Sequence, residues 1–191
     1  KKQKNKKVTP FEVISPNKKK KHQKKKLAEK TEGLEDYSDH KKEIFKKTKT
    51  VSIIASHKRD SPGHMLRHIV IDTYKPYVDS FGRGYNPIKS KNEGLNDYRF
   101  SFTIENIKAD GYFTEKITDC FATGTVPIYW GDETISDYFL EEGIIRLTDD
   151  FDFMSLTEDL YKSMEKVIKE NYDRVINHPL PEDMIYINYL K

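Results

Sequence analysis

Five side chains in this sequence have the chemistry to hold an anionic, hydroxyl-rich ligand: Arg67, Asn106, Tyr112, Glu115 and Lys116. Lys116 falls in the first turn of a helix predicted over Thr114 to Thr123. The free N–H groups and positive dipole end of such a turn suit a phosphate. A cation there costs the helix stability, so Lys116 asks for a reason, and a bound diphosphate is one. Thr114 is expected to cap the helix through its hydroxyl. Glu115 offers two acceptor oxygens, suited to paired ribose hydroxyls. Arg67, on an earlier helix, has a planar fork that can grip a phosphate bidentately. Asn106 sits at a strand end, where it can orient a phosphate or sugar or stabilise a turn. Tyr112 can donate to a phosphate or simply pack. Taken singly, each also has an ordinary structural explanation: a surface ion pair for Arg67, a helix-start acid for Glu115, a solvated amine for Lys116.

The elements that must position these residues read as strands alternating with helices. Val51–Ala55 is a short apolar run, consistent with a buried parallel strand. A polar turn, Ser56–Gly63, leads to a helix over His64 to Tyr77. Val78–Phe81 is a short strand, and residues 82–97, rich in Gly, Asn, Lys and Pro, form a loop. Phe100–Ile104 alternates apolar and polar residues and is a strand. The Thr114–Thr123 helix stops at Gly124. Val126–Trp130 is the next strand, with Pro127 marking its beginning or a sheet edge. A short helix over Ile135–Leu140, a strand over Ile144–Leu147, an amphipathic helix over Leu156–Val175 and a closing helix over Glu182–Leu190 complete the pattern. The fold class is α/β, a Rossmann-like parallel sheet. Ligands of such sheets sit beyond the carboxyl ends of the strands. That puts the site at the loops Ser56–Gly63, Glu105–Phe113 and Gly131–Thr134.

The 191 residues, 36% hydrophobic and 34% charged, suffice for one domain of ordinary size plus an extension. The net charge of +3 hides two regions: residues 1–50 carry +11 and residues 51–191 carry −8. Residues 1–50 read as a basic, Lys-rich extension or linker, and residues 51–191 as the globular domain. Residues 31–50, mixed in charge, suit a short helix leading into it. The cluster Lys18–Lys21 with Lys24–Lys26 is a solvated segment or, in the sharper reading, an anionic-surface contact through Lys1–Lys30. No aromatic residue interleaves the cluster, which disfavours nucleic acid. No apolar run approaches the roughly 20 residues that span a bilayer. No signal peptide is visible, and a chain beginning with Lys is compatible with a fragment. The lone Cys120 forms no internal disulfide and reads as a small core residue. His64 and His68 share i, i+4 spacing that permits a metal pair, but no third ligand is evident beside them or His57. Asp149-Asp150 reads as a loop with solvated acids. No metal site is expected.

The string Phe102-Thr-Ile-Glu-Asn106, then Tyr112-Phe-Thr-Glu-Lys116, then Gly124-Thr-Val-Pro-Ile-Tyr-Trp-Gly131 resembles the donor-binding domain of the α1,3/α1,4-fucosyltransferase family. The likeness runs in order over residues 51–191, including the helix with Arg67 and Val78-Asp-Ser-Phe-Gly82. It implies the C-terminal (donor) half of a GT-B glycosyltransferase that binds GDP-fucose for inverting transfer to a glycan acceptor. Arg67 and Lys116 would then hold the diphosphate. Asn106 and Tyr112 would act at the phosphate and fucose end, and Glu115 at the ribose. GDP-fucose would be the donor substrate, with no cofactor or metal required. Family members often carry Phe where Ile104 stands. They also have an N-terminal acceptor domain expected to supply the catalytic carboxylate, and residues 1–50 do not read as one. The general base is therefore expected outside this chain, in an acceptor domain or partner chain, and the activity of this chain alone is open. Glu93, Asp97 or Glu105 would be bases only if the resemblance were set aside. The compartment is open too: cytoplasmic for a bacterial or viral protein, Golgi only with an upstream anchor. The rival reading is a catalytically inactive nucleotide- or partner-binding module with a basic tail.

Overall fold

A computed structural model of the chain describes residues 44–177, which belong to one compact unit, Lys41–Lys191. The Lys1–Lys30 segment, residues 31–43 and the helix expected over Glu182–Leu190 lie outside the described residues. Among the described residues no helix is long and apolar enough to cross a membrane.

Five parallel strands form one sheet in the order β2-β1-β3-β4-β5. They are β1 Lys49–Ile54, β2 Asp79–Phe81, β3 Tyr98–Ile104, β4 Val126–Trp130 and β5 Ile145–Arg146. The α-helices are α1 Pro62–Tyr74, α2 Glu115–Thr123, α3 Glu158–Ser163 and α4 Glu165–Ile176. β3 is central, and its side chains divide by parity. Phe100, Phe102 and Ile104 join Val51, Ile53, Val70 and Ile71 in the larger core cluster. Ser101 and Thr103 are equally buried but polar, and each finds a partner. The Ser52 hydroxyl donates to Gly94 O at 2.6 Å and lies 3.0 Å from Ser101 Oγ. Thr103 Oγ1 lies 3.1 Å from Cys120 Sγ. Cys120 is buried as expected, and burial pushes its thiol pKa up to about 12.

From β1 the chain passes through α1 to β2, on one side. From β3 it passes through α2 to β4, on the other. The order therefore reverses between β1 and β3, and beyond the carboxyl ends of strands at such a reversal is where sheets of this kind bind ligands. All three predicted site loops lie beyond carboxyl ends of strands, two of them beyond β1 and β3.

Several expected elements differ in the structure. α1 ends at Tyr74, not Tyr77, because Pro76 has no N–H to continue the ladder. Of the two positions expected for Pro127 it takes the first, near the beginning of β4, and not a sheet edge, since β4 lies between β3 and β5. Pro127 precedes the β5 pairing, which begins at Ile128. Ile135–Leu140 shortens to a 3₁₀ turn, Ile135–Asp137. The single helix expected over Leu156–Val175 is two helices, α3 and α4, broken at Met164. The loop 82–97 contains a 3₁₀ turn, Lys91–Gly94. Ahead of β1, Ile44 packs against the core and Lys47 donates to Thr123 O at 2.8 Å and Asn96 O at 2.9 Å.

Two glycines make close approaches. Gly124 ends α2 with φ of 70°, in the left-handed region. Gly63, in the first turn of α1, donates its N–H to Asn106 O at 2.9 Å, and a Cβ there would sit 1.7 Å from Glu105 O. Gly63→Ala is expected to push α1 off the end of β3. It should destabilise the domain by at least the roughly 1–3 kcal/mol typical of overpacking and lower its melting temperature accordingly. A melting curve like the wild type's would show that this contact yields freely.

Candidate functional site

The site is assembled from the last residues of β3 and two helices that approach them from opposite faces of the sheet. α1 begins cleanly: Ser61 caps it by accepting the His64 N–H at 3.2 Å, with Pro62 in the first turn. This presents Arg67 one turn later, 5% exposed. Its Nε donates to Ile104 O at 3.1 Å and its Nη2 to Ile104 O and, at 2.9 Å, to Asn106 Oδ1. Arg67 makes no ion pair among the described residues. Burial lowers its pKa, while Glu105 and Tyr112 act nearby in the opposite sense. Arg67 and Asn106 thus meet at the end of β3, with Tyr112 in the loop that follows.

Lys116 arrives from α2. It is neither a solvated amine nor a cation waiting for a ligand. Its Nζ donates to Glu105 Oε2 at 3.0 Å and to Thr114 Oγ1 at 2.7 Å. Glu105 is completely buried, and its Oε1 accepts the Thr114 N–H at 2.9 Å. Thr114 Oγ1 lies 3.0 and 2.9 Å from the two Glu105 oxygens. The unfavourable placement of Lys116 at a helix start is explained here by Glu105: a buried carboxylate needs a cation. For the same reason Thr114 stands at the N-cap position but makes no side-chain cap bond. Its hydroxyl is committed to Glu105. An ammonium has three N–H groups. Two are used, and the Lys116 side chain remains 29% exposed.

Glu115, the residue before Lys116, turns outward. Its Oε1 receives Lys91 Nζ at 3.2 Å, and its side chain is 58% exposed. Burial would raise its pKa, but Lys91 and then Lys116 outweigh that and hold it lowered.

Three residues at or near the site were not assigned these roles from sequence. Glu105 entered only as a fallback base, although an acid directly after an apolar strand signals a committed buried partner. Lys91 was lost in a loop rich in lysines. Asp132, fully buried just past β4, fastens the β3–α2 loop: its Oδ1 accepts Gly111 N at 3.0 Å, Thr134 N at 2.8 Å and Thr134 Oγ1 at 2.7 Å. The histidine pair is engaged elsewhere. His64 Nδ1 lies 2.5 Å from Asp60 Oδ1, and His68 lies 2.9 Å from Lys58 O through Nε2. Among the described residues no three His, Cys, Asp or Glu side chains cluster as metal ligands do.

Residues 44–175 match the family model described as glycosyltransferase family 10 (fucosyltransferase) C-term. The chain belongs to this fucosyltransferase family. Its sequence is 41% identical over 66 residues to the alpha-(1,3)-fucosyltransferase FucT of Helicobacter pylori, covering 35% of this chain and 14% of that protein. It is 35% identical over 98 residues to the putative fucosyltransferase R654 of Acanthamoeba polyphaga mimivirus, covering 50% of this chain and 15% of that one. The chain therefore spans only a minor part of the curated relatives it matches. Among solved structures, an alpha1,3-fucosyltransferase with GDP-fucose aligns at a TM-score of 0.46 and 26% identity, over 92% of this chain and 49% of that chain. Another crystal structure of an alpha1,3-fucosyltransferase aligns at a TM-score of 0.47 and 30% identity, over 70% of this chain and 39% of that one. This fucosyltransferase-family domain is α/β with a parallel sheet, as its strand pattern predicts.

Proposed function

We propose that this domain binds GDP-fucose and stabilises the departing GDP during inverting transfer of fucose to a glycan hydroxyl. The observation that carries the reading is Arg67: a guanidinium 5% exposed, without an ion-pair partner among the described residues, held at the carboxyl end of β3 beside the reversal in strand order. A desolvated cation of this kind is costly alone and strengthens any contact with an anion. Lys116, from α2, contributes a charged hydrogen-bond donor through its remaining N–H, its charge being shared with Glu105. Asn106, oriented by Arg67, and Tyr112 meet the phosphate and fucose end, and Glu115 takes the ribose hydroxyls.

In the reaction, a general base removes the proton of the acceptor hydroxyl. That oxygen attacks the anomeric carbon from the face opposite GDP, and the bond from carbon to phosphate oxygen breaks. Negative charge then builds on the β-phosphate, where Arg67 and Lys116 stabilise it. The base and the acceptor are supplied from outside residues 44–177. This reading uses no metal: Arg67, which has no ion-pair partner among the described residues, supplies the charge that faces the diphosphate, and Lys116, already paired with Glu105, adds a hydrogen bond.

Titration calorimetry with GDP, with and without EDTA, tests the donor site. GDP is expected to bind equally in both. Loss of binding in EDTA overturns the metal-free account, and no binding in either buffer overturns the donor-site reading. Incubation with GDP-fucose and lactosamine, adding an acceptor-binding part of a family member, then tests turnover. Donor binding without transfer under those conditions would leave a nucleotide-binding module.

A further inference from the structure

Lys91 is the first residue of the 3₁₀ turn Lys91–Gly94, and that turn is firmly held. Ser90 and Glu93 form a capping box, in which Glu93 Oε1 accepts the N–H groups of Lys89 at 2.8 Å and Ser90 at 3.0 Å. Gly94 O accepts the Ser52 hydroxyl at 2.6 Å, which fastens the turn to β1. From this base Lys91 Nζ reaches α2. It donates to Asp119 Oδ2 at 2.7 Å and to Glu115 Oε1 at 3.2 Å. Asp119 and Glu115 are one helical turn apart, and like charges at that spacing repel. Lys91 sits between them. Asp119 is the inner anchor, with its side chain 13% exposed, while Glu115 is the outer carboxylate at 58%.

A long, exposed Glu side chain samples several rotamers, and fixing it for a ligand costs entropy. Lys91 removes that cost beforehand by holding one carboxylate oxygen. We propose that Lys91 is a positioning residue for Glu115 and so sets how strongly the site prefers a nucleotide bearing both ribose hydroxyls. This rests on the reading that Glu115 receives the ribose. In this role Lys91 acts through Glu115 and not on the nucleotide itself. A purely structural role, neutralising Glu115 and Asp119, would support every nucleotide equally.

The test compares GDP with 2′-deoxy-GDP by titration calorimetry on the full chain and on Glu115→Gln, Lys91→Met and Lys91→Arg. The wild type is expected to prefer GDP by about tenfold, the effect of a hydrogen bond to a charged group. Lys91→Met should reduce that preference to about two- or threefold, mainly by weakening GDP. Lys91→Arg should restore it. If Lys91→Met weakens both nucleotides equally, or leaves the preference at its wild-type value while Glu115→Gln removes it, Lys91 is structural and the proposal fails alone. If Glu115→Gln leaves the preference intact, Glu115 does not read the ribose, and the proposal falls with that reading.

Discussion

Lys116→Met is expected to lower both the stability of the domain and its affinity for GDP, and Glu105→Gln should rescue only the first. Glu105 is completely buried, and Lys116 is the cation bonded to its carboxylate. Removing one partner of a buried pair costs about 3–5 kcal/mol, because the survivor keeps its desolvation penalty. The 29% exposure of the Lys116 side chain lets water approach. The cost therefore falls at the low end, about 3 kcal/mol. For a domain of this size that is roughly 6–12 °C in melting temperature. In the double variant the buried charge is gone, and a Gln at position 105 still accepts from Thr114. Most of the stability should return. GDP affinity should not, because the cation is still absent; its loss should be about 10–100-fold relative to wild type. Glu105→Gln alone should bind GDP as well as or better than wild type, since the ammonium no longer divides itself between ligand and carboxylate. Melting curves and calorimetry on the four proteins separate these effects. A double variant that recovers GDP binding with its stability would show that Lys116 serves the fold alone.

The same pair shows where reading a sequence succeeds and where it stops. The strands were legible because Val51–Ala55, Phe100–Ile104 and Val126–Trp130 are apolar runs bounded by turn residues, and Gly124 punctuates α2 unambiguously. Arg67 and Asn106 are grouped by the family resemblance and not by any local pattern; the fold joins them because α1 follows β1 and packs on the end of the neighbouring β3. The break at Met164 was invisible, because Leu160, Met164, Val167 and Ile168 keep helical spacing across it. Periodicity records which face is buried, not whether the backbone ladder is continuous. Lys116 is visibly out of place at a helix start, and the sequence suggests a diphosphate as the reason, but the residue that accounts for it in the structure lies eleven positions earlier, just past β3. No local pattern joins a helix-start lysine to an acid at a strand end. Lys91 and Glu115, separated by 24 residues, are paired by the fold in the same way.

Arg67→Met is expected to abolish most GDP binding while changing stability modestly. Arg67 differs from Lys116 in what holds it. Its partners are a carbonyl, Ile104 O, and an amide oxygen, Asn106 Oδ1, both neutral. Met fills a similar volume without the charge. The substitution leaves those two acceptors without this donor, at about 1–3 kcal/mol for each one that stays dry. It also relieves the burial of a guanidinium, and the two effects oppose each other. A net loss of about 1–2 kcal/mol is the expected result. Binding has no such compensation. A charge-assisted contact between a buried guanidinium and a phosphate is among the stronger polar interactions available. Its removal, with Asn106 released from its orienting bond, should weaken GDP about 100-fold or more. Arg67→Lys keeps a charge but loses the planar fork, so its affinity should fall between the two. Calorimetry at a temperature where all three proteins are folded gives the comparison. If Arg67→Met melts far below wild type yet binds GDP normally when folded, Arg67 is a strut between α1 and β3, and the diphosphate lies elsewhere.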